Sequence, residues 1–131
     1  MKNMQSLGKI TETTRNDKSK ELLQRHLGYF LDNNLKALIT DYTNESVLIA
    51  HDTIYTGPEE IKGFFAKLMP HFPKQKSSFE IDETVINGDL VYIIWHGKTP
   101  SLDVPFATDT FIIKNDKIQQ QTFAGQLKSV G

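Results

Sequence analysis

One acid offers chemistry in this sequence. Asp109 lies in the stretch Phe106 to Phe123, FATDTFIIKNDKIQQQTF, at a position where a strand should carry an apolar side chain. A two-residue turn at Asn115-Asp116 folds that stretch into an antiparallel pair, matching Lys114 with Lys117, Phe111 with Gln120 and Asp109 with Thr122. Alternation then places Asp109, Phe111, Ile113, Ile118, Gln120 and Thr122 on one face. Apolar near the turn and polar at its far end, that face suits a pocket. A carboxyl among apolar neighbours has its pKa raised, so it donates to a ligand as readily as it accepts. The plainer alternative is an acid satisfied by a backbone amide or by Thr108 and Thr110.

A pocket acid calls for a base, and histidine is the side chain suited to that work near neutral pH. His51, just after a strand, is the first candidate, and His26, beside the apolar stripe of a helix, is a hydrogen-bonding partner. Tyr55, Trp95, Phe111 and Phe64 could wall an apolar pocket, with Gln120 adding an amide. No two histidines have a helical metal-ligand spacing, so no metal is expected. Glu59 and Glu60 fall in the first turn of a helix, where they complement its dipole. Phosphate-cradling glycine motifs and nucleophilic serine signatures are absent, and no cofactor is expected.

The elements that position these groups follow from periodicity. Leu23, Leu27 and Phe30 form a helical stripe over Lys18 to Leu31, with Asn16, Asp17 or Ser19 as N-caps. After Asp32-Asn33-Asn34, residues Leu35, Leu38 and Ile39 give a short second helix ending near Asp41 or Tyr42. Ser46 to Ala50 and Thr53 to Thr56 read as strands. A third helix opens on Gly57-Pro58 with Ile61, Phe64, Phe65 and Leu68 in phase, and stops at Pro70 and Pro73. Phe79 to Val85, the Asn87-Gly88 turn and the apolar run Leu90 to Gly97 make one hairpin, and a loop from Lys98 to Pro105 leads to the second. Helices followed by long antiparallel strands give an α+β fold with the helices over one face of a curved sheet. The opposite face, with Thr108, Thr110, Ile112, Gln119, Gln121 and Phe123, suits a homodimer contact.

At 131 residues the chain is one ordinary domain, read as a loose arm over residues 1–17 and a folded unit from 18 to 131. A net charge of -1 gives no pull toward nucleic acid or anionic membrane. The absence of cysteine excludes disulfides and thiolate chemistry. No apolar run is long enough to cross a bilayer, and a cytoplasmic location is expected.

The element order, with SVLIAHDTIYTGPEEIKGFF and ATDTFIIKNDKI, resembles the nuclear transport factor 2-like superfamily over Lys18 to Phe123, in particular its SnoaL-like and ketosteroid-isomerase-like branches. The resemblance implies a cone-shaped, mostly antiparallel sheet enclosing a pocket beneath three helices. It also implies a small apolar or amphipathic ligand of polyketide or steroid type and cofactor-free isomerase, cyclase or hydrolase chemistry. A non-catalytic dimerisation or protein-binding role is the alternative within the same fold. Laid along this chain, the oxyanion-binding tyrosine of the ketosteroid isomerases falls on His26 and their general-base aspartate on Ala50, beside His51. Their protonated aspartate falls near Asp109. The Asp-Arg-Asp set of related epoxide hydrolases finds no arginine on the sheet, since Arg15 and Arg25 are the only two.

Overall fold

The computed structural model describes the backbone of residues 2–130 and the side chains of residues 14–130. Helix α1 (Lys2–Leu31) is followed by α2 (Leu35–Ile39), strands β1 (Tyr42–Ala50) and β2 (Thr53–Thr56), and α3 (Gly57–Leu68). A short 3-10 turn, Met69–His71, precedes β3 (Ser78–Asn87), β4 (Leu90–Lys98), β5 (Leu102–Lys114), β6 (Lys117–Gly125) and β7 (Lys128–Ser129). The sheet order is β2-β1-β6-β5-β4-β3, with β7 paired to β5. Among the described residues only β1 and β6 run parallel, and the outermost strands β2 and β3 do not pair with each other, so the sheet stays open. No helix among the described residues is long and apolar enough to cross a membrane.

The first helix differs from its sequence reading. It does not start near Lys18 but continues back through the residues read as an arm, so Asn16 and Ser19 lie within it and are not caps. They grip the β3–β4 turn instead: the Gly88 N–H donates to Asn16 Oδ1 at 2.6 Å, and Ser19 Oγ donates to the Gly88 carbonyl at 2.7 Å. These bonds tie the helix to the hairpin that carries Val91, Ile93 and Trp95. Those three are the inward side of β4, each 5% exposed or less.

Helix α3 forms where Gly57-Pro58 and the in-phase apolar residues place it, with Ile61 and Phe65 buried against the sheet. Gly57 has φ +80°, a conformation that glycine adopts without steric cost. Glu60 accepts a hydrogen bond from the Thr56 N–H at 2.9 Å, satisfying a donor at the helix start. The core lies between this helix, α1 and the inner sheet face, where Leu48, Ile118, Ala107, Phe111 and Ile93 are almost fully buried.

The β5–β6 turn forms at Asn115 and Asp116, both with positive φ, and pairs Lys114 with Lys117 and Ile113 with Ile118. One residue later the register shifts, so that Ile112 pairs with Gln120, Phe111 with Gln121 and Asp109 with Phe123. Gln119 is the extra residue of a β-bulge. Because side chains alternate with a period of two, that single insertion turns the rest of β6 over. Gln121 and Phe123 therefore face inward, while Gln120 and Thr122 face outward and are exposed.

Candidate functional site

Under α1 and α3 the inner sheet face holds one largely apolar pocket. Phe30, Phe65, Phe72, Trp95, Phe111 and Phe123 are its buried walls, and His26, Asp109 and Gln121 supply its polar groups. Leu27, Phe64, Leu68, Phe79 and Leu127 line it while keeping some exposure, and so mark its mouth. Among the described residues, no lysine or arginine lines it. The cavity volume is only about 40 Å³, room for a few water molecules at about 10–15 Å³ each.

Asp109 is carried inward by β5 between Ala107 and Phe111. Trp95 Nε1 donates to its Oδ2 at a long 3.4 Å. Burial raises its carboxyl to about 8, against the opposing pull of hydrogen bonds from Trp95 and Gln121. At neutral pH this acid is mostly protonated.

A second set of buried polar groups meets Gln121 from behind. Tyr42 Oη donates to Gln121 Oε1 at 2.5 Å and lies 3.2 Å from His26 Nε2. On the other side of the imidazole, Nδ1 is 2.9 Å from Asp41 Oδ2, a contact in which the ring nitrogen donates to the carboxylate. Arg25 donates to Asp41 Oδ1 through Nη2 at 2.8 Å and Nε at 3.1 Å. Burial alone would raise the Asp41 carboxyl, but hydrogen bonds and charge from His26 and Arg25 outweigh it and hold the group below its ordinary value. Burial pushes the Tyr42 phenol well up, and the negative charges of Asp109, once it has ionised, and of Asp41 add to that. The chain of contacts Arg25–Asp41–His26–Tyr42–Gln121 thus runs from the surface to Asp109. It links one ionised carboxylate to one neutral acid, and opposed environments of this kind separate acid from base roles.

Of the residues singled out from sequence, Asp109, His26, Trp95, Phe111 and Phe64 line this pocket together. Tyr55 does not: it packs on the far side of Phe64, with ring centroids 5.1 Å apart. Gln120 is corrected to Gln121, because the bulge at Gln119 reverses the parity on which Gln120 was placed inside. His51 also lies outside. It occupies the exposed β1–β2 turn with φ +57°, and its Nε2 is 3.0 Å from the Gly125 carbonyl. Sequence reasoning did not find Asp41 and Tyr42, which it took for the end of α2. The inward turn of Tyr42 depends on a distant partner: the Ile118 N–H donates to the Asp41 carbonyl at 2.7 Å, and Tyr42 pairs with Ile118 at the start of β1. No group of three or more histidine, aspartate or glutamate side chains that could hold a metal ion occurs among the described residues.

No family model matches the sequence, and no curated protein does. Solved structures do. A nuclear transport factor 2-like protein of unknown function from Mesorhizobium loti superposes with a TM-score of 0.70 at 15% identity, covering 86% of this chain and 93% of that one. A protein provisionally named a SnoaL-like polyketide cyclase, from Shewanella putrefaciens, gives 0.69 at 16% identity over 86% and 85% of the two chains. An epoxide hydrolase/cyclase-like enzyme of pyran ring formation in the polyether salinomycin gives 0.72 at 13% identity over 84% and 92%. Such identities speak for architecture and not for activity. With three helices over one face of an open, mostly antiparallel curved sheet, this chain has the nuclear transport factor 2-like fold.

Proposed function

We propose that the protein binds a small, mainly apolar molecule in the pocket beneath α1 and α3, and that it works on it by acid-base chemistry without a resident cofactor. The observation that carries this reading is a carboxylic acid, Asp109, only 8% exposed and set with Trp95, Phe111 and Phe123 in the pocket lining, where burial raises its pKa to about 8. Such a group donates a hydrogen bond to a carbonyl, ether or epoxide oxygen and can pass its proton to it. His26, held by the ionised Asp41, is the better-placed basic group, and it takes the role that sequence reasoning gave to His51. With no lysine or arginine among the described lining residues, the site suits neutral ligands over anions. The ligand enters by displacing mouth side chains, since the cavity is far smaller than the ~300 Å³ at which ligand pockets usually begin.

A panel of neutral cyclic ketones and phenols, screened by thermal shift, tests this reading. Binding is expected to weaken about tenfold per pH unit above the Asp109 pKa, which lies at about 8, and to vanish in Asp109→Leu. Affinity that is flat through that range, or unchanged in Asp109→Leu, rules Asp109 out as the anchor.

The small cavity favours one other reading, a non-catalytic domain of the same fold in which the buried network is structural. It predicts that none of the panel shifts the melting temperature.

In either case we propose a homodimer through the outer sheet face. Tyr92, Ile94, Thr108, Thr110 and Ile112 form its half-buried, charge-free centre. Thr122 and Gln120 belong to it in place of Phe123 and Gln121, which the bulge turns inward. Sedimentation of Ile94→Glu should show a monomer where the parent is a dimer; a parent that is itself monomeric refutes this contact.

A further inference from the structure

We propose that Leu127 decides which molecules reach Asp109, and that His51 is the positioning residue that holds Leu127 in place. This rests on the pocket being a ligand site. Strand β6 ends at Gly125, and residues 126–129 form a strap in which Leu127 lines the pocket while Lys128 and Ser129 pair with the start of β5. Leu127 lines the pocket from this strap while remaining 38% exposed, so its side chain forms part of the mouth.

The strap is held by few bonds. Beyond the two residue pairs Leu102–Ser129 and Asp103–Lys128, the Gln126 N–H donates to the Phe106 carbonyl and the Val130 N–H to the Ser101 carbonyl, both at 3.0 Å. Short pairings of this kind open at lower free energy than a long ladder. The pivot is different. A Cβ at Gly125 would lie 2.8 Å from the Ala107 Cβ, so the backbone there sits tight against β5 and admits no side chain.

His51 reaches this pivot from the β1–β2 turn. Its Nε2 is 3.0 Å from the Gly125 carbonyl oxygen and 3.2 Å from the Gly125 nitrogen. A protonated Nε2 donates to the carbonyl, and a bare one accepts from the amide, so either tautomer clamps the same residue. The ring also packs edge-on against Phe123, a pocket wall, at 5.5 Å between centroids. His51 therefore joins the wall to the pivot from which the strap departs. Its place outside the pocket and its contacts with the pivot are explained together: it governs entry and does not touch the ligand.

The test measures entry of the neutral fluorophore N-phenyl-1-naphthylamine into the full chain by stopped flow. Four proteins are compared: the parent, His51→Asn, Leu127→Ala, and a double variant with Asp103→Cys and Lys128→Cys. Asparagine accepts the positive φ at position 51 but is too short to reach Gly125. The chain has no cysteine of its own, so the pair forms one defined crosslink across β5 and β7. Entry is expected to quicken at least about tenfold in His51→Asn and Leu127→Ala, as for an unlatched lid. The oxidised crosslinked protein should exclude the fluorophore until a reductant is added. Equal entry rates for the oxidised and reduced forms overturn the proposal. So does a His51→Asn protein with a lower melting temperature but the parent's entry rate, and so does a Leu127→Ala protein that admits no probe. Repeating the series on an Asp109→Leu background separates the two claims: gating persists there if the strap is the gate, even if Asp109 anchors nothing.

Discussion

Asp109→Asn is expected to make the fold more stable at neutral pH, by an amount that grows as the pH rises. The native carboxyl ionises near pH 8 and the unfolded one near 3.8. Between those values the unfolded chain has lost a proton that the native chain keeps, so the parent's stability falls with pH. A carboxyl whose folded pKa is raised contributes in full below its unfolded pKa, and that contribution is lost as pH climbs to the folded value. The slope for one group is about 1.4 kcal/mol per pH unit, which accumulates to several kcal/mol across the window. Asparagine keeps an oxygen that can accept from Trp95 Nε1 and Gln121 but has no proton to lose, so the variant escapes this decline. Urea midpoints of the two proteins should coincide near pH 4 and diverge steadily toward pH 8. Parallel curves across that range would mean that Asp109 is ionised in the native state.

Asp41→Ala should do the opposite and cost about 3 kcal/mol or more, because removing one partner of a buried ion pair leaves the other uncompensated. Asp41 is 2% exposed at its side chain and accepts from both His26 and Arg25. Its pKa is lowered, so its contribution is present above the unfolded value near 3.8 and disappears only as the pH falls below it. Across the neutral range the Asp41→Ala loss is therefore constant, and the downward slope due to Asp109 persists on top of it. A second consequence concerns the pocket: without its carboxylate partner the His26 ring is no longer oriented toward Tyr42, and the chain of contacts behind Gln121 is broken. Denaturant melts of this variant at several pH values check both features, and a loss under about 1 kcal/mol would place Asp41 among ordinary surface pairs.

The two carboxyls were not equally legible in the sequence. Asp109 stood out because an acid interrupts an apolar strand face, a local signal. Asp41 gave no such signal, since its partners His26 and Arg25 lie 15 and 16 residues away on another element, and Tyr42 meets Gln121 across 79 residues. The helices α2 and α3, strand β2 and both hairpin turns follow from caps, turn residues and periodicity within a few positions of each other. The bulge does not. Gln119, Gln120 and Gln121 are chemically identical neighbours, so nothing local prefers one register over the other. Tertiary burial decides, and it favours the register that brings Phe123 inside, where it lies 6% exposed. That one-residue step moves the pocket amide from Gln120 to Gln121. His51 was misread for a related reason: a histidine after a strand resembles a site residue, and only the reversal of the chain at a positive φ sends it outward.

The claim on which the rest depends is that a neutral acid sits in the pocket, and the most direct measurement is a carbon NMR titration of the Asp109 side-chain carboxyl in the free protein. The structure predicts a single titration step centred near pH 8. A carboxyl already ionised through the neutral range, titrating near the ordinary aspartate value, would contradict it, and with it the proposal that this pocket binds its ligand through a donated proton.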